Sequence, residues 1–512
     1  MRSVFDTTCG QVRGRGAERG VVAVLGIPYA EPPCGVNRFR APCPRRPWAG
    51  IRDCVDFGPV PPQSAQLPGA PSWSPGDEDV LSLNVWTPVT GTGTPDGGLL
   101  PVLVWIHGGG YTFGSGAQPD FDGGALARAG LVVVTLNYRL GFEGFGHIPA
   151  DGDDPCPPNR GLLDQIAALT WVRDNIAAFG GTPENVTVAG QSSGATSVAC
   201  LMAMDGGRGL FRRAIAHSAV GPSFSPELAE HFMQKVAAEA AVPATRAGLA
   251  AASPQTLAKA SDAVVDGYRQ NPVSGRHHWD PVIYGPVADG VHLRADPLAV
   301  IAGGAASGIE LLVCHTTQEY WLLDAVGSSA KVTTEEQLAD FAADFGLPDS
   351  LTQGYRGLMP GAPVGDVHLA LYGDLMFGEY SSRLADAHAR AGGRTFLSRF
   401  ARQRGGSQSV AYAWHCADVP FAFGNLDEES VHFLIGGPPT AADHHLSDRM
   451  TAAWAGFAAT GEPGWEPLGT SGGPVRTWET TDTTAAPAPG HWADGGTIRT
   501  LWRSFGYRPL RP

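Results

Sequence analysis

The chain has 512 residues, 43% hydrophobic and 17% charged, with a formal net charge of −14. That balance excludes a disordered chain and allows a sizeable core, while the acidic surplus argues against nucleic acid and anionic membrane surfaces as partners. No apolar run is long enough to span a bilayer, and Met1-Arg2-Ser3-Val4-Phe5-Asp6 lacks the apolar stretch of a secretory signal. The eight cysteines, Cys9, Cys34, Cys43, Cys54, Cys156, Cys200, Cys314 and Cys416, show no C-x-x-C spacing, so neither a zinc site nor a disulfide framework is expected. They read as reduced thiols of a cytoplasmic protein.

From Gly10 to Phe57 short period-two runs such as Val21 to Ala30 alternate with Pro and Gly, which predicts a small antiparallel opening sheet. Asp77 to Trp86 reads as one more strand of it. Val102 to Ile106 and Leu131 to Arg139 are apolar strands, and Leu162 to Ala178 is a helix with an apolar stripe through Leu163, Ile166, Leu169, Val172 and Ile176, stopped at Gly180 and Gly181. Val186 to Gln191 is a β-branched run, and a small-residue helix follows it through Val198 and Leu201. Ala214 to Ser218 and Ile309 to Cys314 are further core strands. Buried strands alternating with amphipathic helices predict a large, mostly parallel central sheet. Two helical, Ala-rich insertions, roughly 222–305 and 325–400, are candidates for a cap within a single domain spanning 1–512. The Gly/Pro/Thr-rich stretch from Gly461 to Gly495 reads as surface loop.

Two stretches carry chemistry. Gly190-Gln191-Ser192-Ser193-Gly194 has the G-x-S-x-G layout of a nucleophile elbow, in which a strained strand-to-helix turn lifts the serine hydroxyl above the sheet and tolerates only small neighbours. Ser192 is the candidate nucleophile, and the Ser193 N–H lies at a helix N-terminus, where developing negative charge is stabilised. The second stretch is His107-Gly108-Gly109-Gly110, directly after a core strand; such a glycine run lets backbone N–H groups crowd an oxyanion.

With Leu25 to Ala30, Glu78 to Val85, Asn137-Tyr138-Arg139-Leu140-Gly141, Asn159 to Gly181, Pro286 to Gly290, His415 to Gly424 and Trp454 to Gly461, these stretches resemble the type B carboxylesterase family of the α/β-hydrolase fold. That group includes cholinesterases and bacterial para-nitrobenzyl esterases. The resemblance runs in order through nearly the whole chain. It implies an α/β-hydrolase fold with a mostly parallel central sheet, a small N-terminal antiparallel sheet and helical cap insertions. It also implies a serine esterase acting on a small-molecule ester, with no cofactor, no nucleic acid and no membrane partner.

The resemblance further implies a triad of Ser192, Glu319 and His415. His415 stands in Trp414-His415-Cys416-Ala417-Asp418-Val419-Pro420, which matches the family pattern around its histidine. Glu319 follows the Ile309 to Cys314 strand, giving the chain order Ser, Glu, His expected of the fold. Asp418 is the competing carboxylate, but it stands too near His415 in sequence to reach Nδ1 easily. The N–H groups of Gly109, Gly110 and Ser193 are the implied oxyanion hole, with Gly108 serving the turn. Ser218 aligns with a family serine that hydrogen-bonds near the triad, or is a plain strand-end serine. Tyr111, Phe113, Tyr320 and Trp321 are candidates for lining the acyl or alcohol pocket. His277-His278 and His444-His445 lack the i, i+4 spacing of metal ligands and read as exposed loop residues, so no metal is expected.

Three departures matter. Val80 stands where many secreted relatives have cysteine, so Cys54 has no partner there. Gln191 replaces the family's usual glutamate before the serine, and Tyr320 replaces a common glycine after the acid. Acyl transfer or cyclisation by the same triad is the alternative reaction. A catalytically silent adhesion relative is the non-enzyme alternative, and such relatives typically lack the serine.

Overall fold

The computed structural model describes residues 3–16, 19–64, 72–88, 98–149, 156–327, 330–404, 411–470, 472–480 and 495–512. Twelve strands are formed among them: β1 (Val4–Thr7), β2 (Gly10–Arg13), β3 (Val21–Pro28), β4 (Ile51–Asp53), β5 (Ser82–Pro88), β6 (Leu100–Ile106), β7 (Val132–Leu136), β8 (Gly181–Gln191), β9 (Arg213–His217), β10 (Glu310–Thr316), β11 (Thr395–Phe400) and β12 (Arg476–Trp478). Nine of them make one sheet in the order β12-β11-β10-β9-β8-β6-β7-β5-β3. It is parallel from β12 to β7 and antiparallel at the β5 and β3 edge.

The apolar runs are continuous because both faces of this sheet are covered. Val102 and Val104 of β6 join Val132, Val134, Val186 and Val188 in one core, packed by the helices Arg160–Asn175 and Ser193–Ala203. Their neighbours Leu103 and Trp105 point the other way, into a second core with Val133, Ala189, Ile215 and Leu312 under the helix Ala441–Thr460.

Three sequence expectations change. Val21–Pro28 and Ser82–Pro88 join the large sheet rather than the opening one, because nearly every side chain on both strands is buried, and a peripheral sheet cannot cover both faces. The small sheet is β1, β2 and β4, with β1 antiparallel and β4 parallel to β2. The span 325–400 is helical only as far as Glu379–Arg390; Thr395–Phe400 is a central strand parallel to β10. The stretch from Gly461 contains the short strand β12, while 471 and 481–494 lie outside the described residues. No helix among the described residues is long and apolar enough to cross a membrane.

One buried ion pair ties the sheet to its first long helix. The Arg139 guanidinium grips Asp164 at 2.8 and 2.7 Å, and the Arg139 N–H adds a third bond at 3.0 Å, with both side chains at most 1% exposed. Removing one partner strands the other charge in low dielectric, so Asp164→Ala is expected to cost about 3–5 kcal/mol. Urea denaturation checks this; a loss under about 1 kcal/mol contradicts it.

Candidate active site

Ser192, Glu319, His415 and the glycine turn lie beyond the carboxyl ends of the parallel strands, where open α/β sheets place their sites. β8 ends at Gln191, and Ser192 follows with φ 56° and ψ −125°, the strained conformation an elbow requires. The flanking glycines are set by close approach. A Cβ at Gly190 would lie 2.5 Å from the Gly194 carbonyl oxygen, and one at Gly194 would lie 2.1 Å from that of Ile106. The Ser192 N–H donates to the His217 carbonyl at 2.8 Å, which fixes the turn against β9.

The glycine turn after β6 crosses in front of the elbow. Gly109 and Gly110 have φ 112° and 59°, and a Cβ on Gly109 would collide with the Phe113 carbonyl oxygen at 2.0 Å. Neither of their N–H groups meets an acceptor among the described residues, and the Ser193 N–H stands in the first turn of Ser193–Ala203. The turn is held from behind. Tyr138 Oη donates to the His107 carbonyl at 2.9 Å and stacks on its ring, while burial pushes His107 down to about 4 and keeps it neutral. Gly108 has no left-handed φ. It is small because a Cβ there would sit 2.6 Å from Gln191 Oε1 and 3.1 Å from Ser192 Cβ.

Glu319 follows β10 and is 2% exposed. Its Oε1 accepts from Ser218 Oγ at 2.6 Å and from the Thr316 N–H at 2.7 Å, and its Oε2 lies 2.6 Å from His415 Nδ1. Ser218 has φ 52°, so its backbone is bent to aim the hydroxyl at this carboxylate. The His415 loop is stitched to the Glu319 loop by His415 N–H to the Glu319 carbonyl at 3.1 Å and by Gln318 N–H to the Ala413 carbonyl at 2.9 Å. Burial opposes charge on the His415 ring, but Cys416 and Glu319 beside it favour charge, and the balance raises its pKa above the ordinary imidazole range.

Asp418 faces elsewhere. Its Oδ2 lies 2.7 Å from His217 Nδ1, both side chains are fully buried, and His217 Nε2 accepts from Trp454 Nε1–H at 2.8 Å. Cys314 Sγ shares this cluster, which by residue type could hold a metal ion. Both His217 nitrogens are already engaged, so the cluster is built as a hydrogen-bonded buttress and offers no free imidazole lone pair. The other histidine pairs correct the expectation of exposed loops. His277 and His278 lie on the short helix Arg276–Trp279, half-buried against Phe232, Tyr268 and Trp279. His444 and His445 are exposed, but on the helix Ala441–Thr460.

The four aromatic candidates are dispersed. Tyr111, at φ 61°, turns into the core against Phe145, with its hydroxyl 3.4 Å from Ser197. Tyr320 stacks on Tyr372 at 3.9 Å, and Trp321 tilts against Tyr412. Phe113 is half-buried beside the glycine turn. The ring that touches the imidazole is Phe377, at 4.1 Å, carried by a single π-helical turn Asp374–Gly378 that sequence reading did not find. Such turns interrupt helices mostly where function needs a side chain re-aimed. Gln191 was noted only as a departure, yet its Nε2 lies 2.9 Å from His415 Nε2. Among the described residues no hydrogen bond joins Ser192 Oγ to His415.

A carboxylate after β10, an imidazole on the loop after β11 and an elbow hydroxyl after β8, beside a glycine turn whose Gly109 and Gly110 N–H groups meet no acceptor among the described residues, are the parts needed for acyl transfer to serine. The carboxylesterase family pattern matches residues 2–356 and 361–486. The para-nitrobenzyl esterase of Bacillus subtilis (strain 168) is 36% identical over 475 residues, covering 90% of this chain and 91% of that protein. The phenmedipham hydrolase of Pseudarthrobacter oxydans is 33% identical over 478 residues, covering 90% and 91%. A solved PNB esterase superposes with a TM-score of 0.81 at 34% identity, covering 93% of this chain and 96% of that one.

Proposed function

Because this chain belongs to the carboxylesterase family and is a carboxylic ester hydrolase on the α/β-hydrolase fold, we propose that Ser192, His415 and Glu319 carry its reaction. Ser192 Oγ attacks the ester carbonyl as His415 Nε2 takes its proton. The N–H groups of Gly109, Gly110 and Ser193 receive the oxyanion. The imidazolium then hands its proton to the departing alcohol, and water repeats the sequence on the acyl-enzyme. Glu319 holds the ring as the Nδ1–H tautomer and offsets the charge it gains. The observation that supports this reading most is the 2.6 Å Glu319 Oε2 to His415 Nδ1 contact beside an elbow serine at φ 56°. Phe377 and Phe113 are proposed as apolar walls of the site.

A panel of p-nitrophenyl esters of graded acyl length tests it. The expected result is a burst of one p-nitrophenol per active site with the faster esters, followed by slower steady turnover. Hydrolysis with no serine-linked acyl intermediate under any ester contradicts the scheme.

We also propose a reducing, cytoplasmic setting, which the cysteines support. All eight cysteines are free, and Cys54 and Val80 are both buried at 2% exposure with no bridge between their segments. Thiol titration of the denatured, unreduced protein is expected to count eight, and dithiothreitol is expected to leave Tm unchanged. A native disulfide typically contributes about 2–5 kcal/mol. A count of six with a drop in Tm on reduction contradicts the assignment.

A further inference from the structure

Gln191 is the last residue of β8, 5% exposed, with its backbone paired opposite His217. Its side-chain amide is wedged between the glycine turn and the imidazole: Oε1 fills the space that a Cβ on Gly108 would need, and Nε2 lies 2.9 Å from His415 Nε2. The polarity of that contact follows from the other side of the ring. Glu319 Oε2 is 2.6 Å from Nδ1, and an ionised carboxylate only accepts, so Nδ1 carries the proton of the neutral ring and Nε2 presents its lone pair. The Gln191 N–H therefore donates to the same lone pair that must take the Ser192 proton.

We propose that Gln191 is a latch on the general base. Its amide occupies His415 Nε2 in the resting enzyme, and acylation begins when the ester's approach displaces it and Ser192 Oγ takes its place. The inference rests on the assignment of Ser192 and His415 above. An amide suits this task because it serves both charge states: N–H donates to neutral Nε2, and the carbonyl end accepts from Nε2–H once the ring is charged. A carboxylate at this position could only accept, and would favour the charged ring. Gln191 thus stays on Nε2 in either charge state of the ring. The groups facing the ring are few. Glu319 holds Nδ1, Cys416 follows in the chain, Phe377 covers the ring face, and Asp418 is committed to His217.

Gln191→Met keeps the length and removes the hydrogen bond, while Gln191→Glu keeps the shape and removes the donor. Both are compared with the unmodified enzyme by the rate of the p-nitrophenol burst from pH 5 to 9, with Tm as the control for folding. Releasing one net hydrogen bond is expected to speed the burst about three- to tenfold in Gln191→Met. Gln191→Glu is expected to move the pH midpoint of the burst upward by about one unit, because the carboxylate stabilises the imidazolium and the base form then requires higher pH. A burst as fast as or slower than that of the unmodified enzyme in Gln191→Met, or an unmoved midpoint in Gln191→Glu, at unchanged Tm, overturns the latch. Failure of a fluorophosphonate to label Ser192 in the unmodified enzyme overturns the Ser192 and His415 assignment, and the latch with it.

Discussion

Replacing Ser192 with alanine is expected to lower kcat by about 10⁶, the loss typical of a serine triad that loses its nucleophile. No other hydroxyl can take over. Ser193 is the nearest in sequence, but it is 2% exposed, with its side chain buried in the first turn of Ser193–Ala203. Ser192 Oγ makes no hydrogen bond to His415 in the resting arrangement, where Gln191 takes that nitrogen, so the substitution removes little that holds the fold together. Tm is therefore expected to stay within the small range of a neutral change. Near-normal ester turnover by Ser192→Ala contradicts the assignment.

The second large effect is expected from Glu319→Gln, a fall in kcat of about 10⁴ with the protein still folded. The carboxylate accepts three hydrogen bonds, from Ser218 Oγ, the Thr316 N–H and His415 Nδ1. An amide can satisfy one side only: its oxygen can stay with Ser218 and Thr316 while its NH₂ faces His415, which forces the ring into the wrong tautomer. Asp418→Asn is the control. That carboxylate buttresses His217 and Trp454 deep in the core, so its loss is expected to lower Tm more than it lowers kcat. The reverse pattern in the two variants assigns the acid role to Asp418.

The parts of the site that sequence exposes are those whose residue type is forced by local geometry. Only glycine fits at 190 and 194, where carbonyls lie within 2.5 Å of any added Cβ, and at 109, where φ is 112°. The strands are legible where both faces are buried and the text becomes continuously apolar, as in β6 to β10. β11 was hidden because Thr395-Phe396-Leu397-Ser398-Arg399-Phe400 mixes polar and apolar residues after a long helical stretch, and β12 because three residues within Gly/Pro-rich text carry no period. Contacts set by long-range packing left no local trace. Asp418 meets His217 across 201 residues, and Phe377 reaches the imidazole through a π turn that shifts its direction along the helix. Tyr111 adjoins the oxyanion glycines in sequence, yet its positive φ turns the ring into the core. Gln191 is the clearest case: its identity was visible as a departure, but its hydrogen bond to His415 depends on a side-chain direction that sequence does not encode locally.

The central claim is that Ser192, driven by His415, is the acylated residue. Treating the enzyme with a fluorophosphonate, digesting it and mapping the adduct by mass spectrometry tests this most directly. The expected result is one phosphonyl group per chain, on Ser192, absent from Ser192→Ala and formed far more slowly in Glu319→Gln. An adduct on Ser193 or on any other residue, with ester hydrolysis abolished in step with it, contradicts the account.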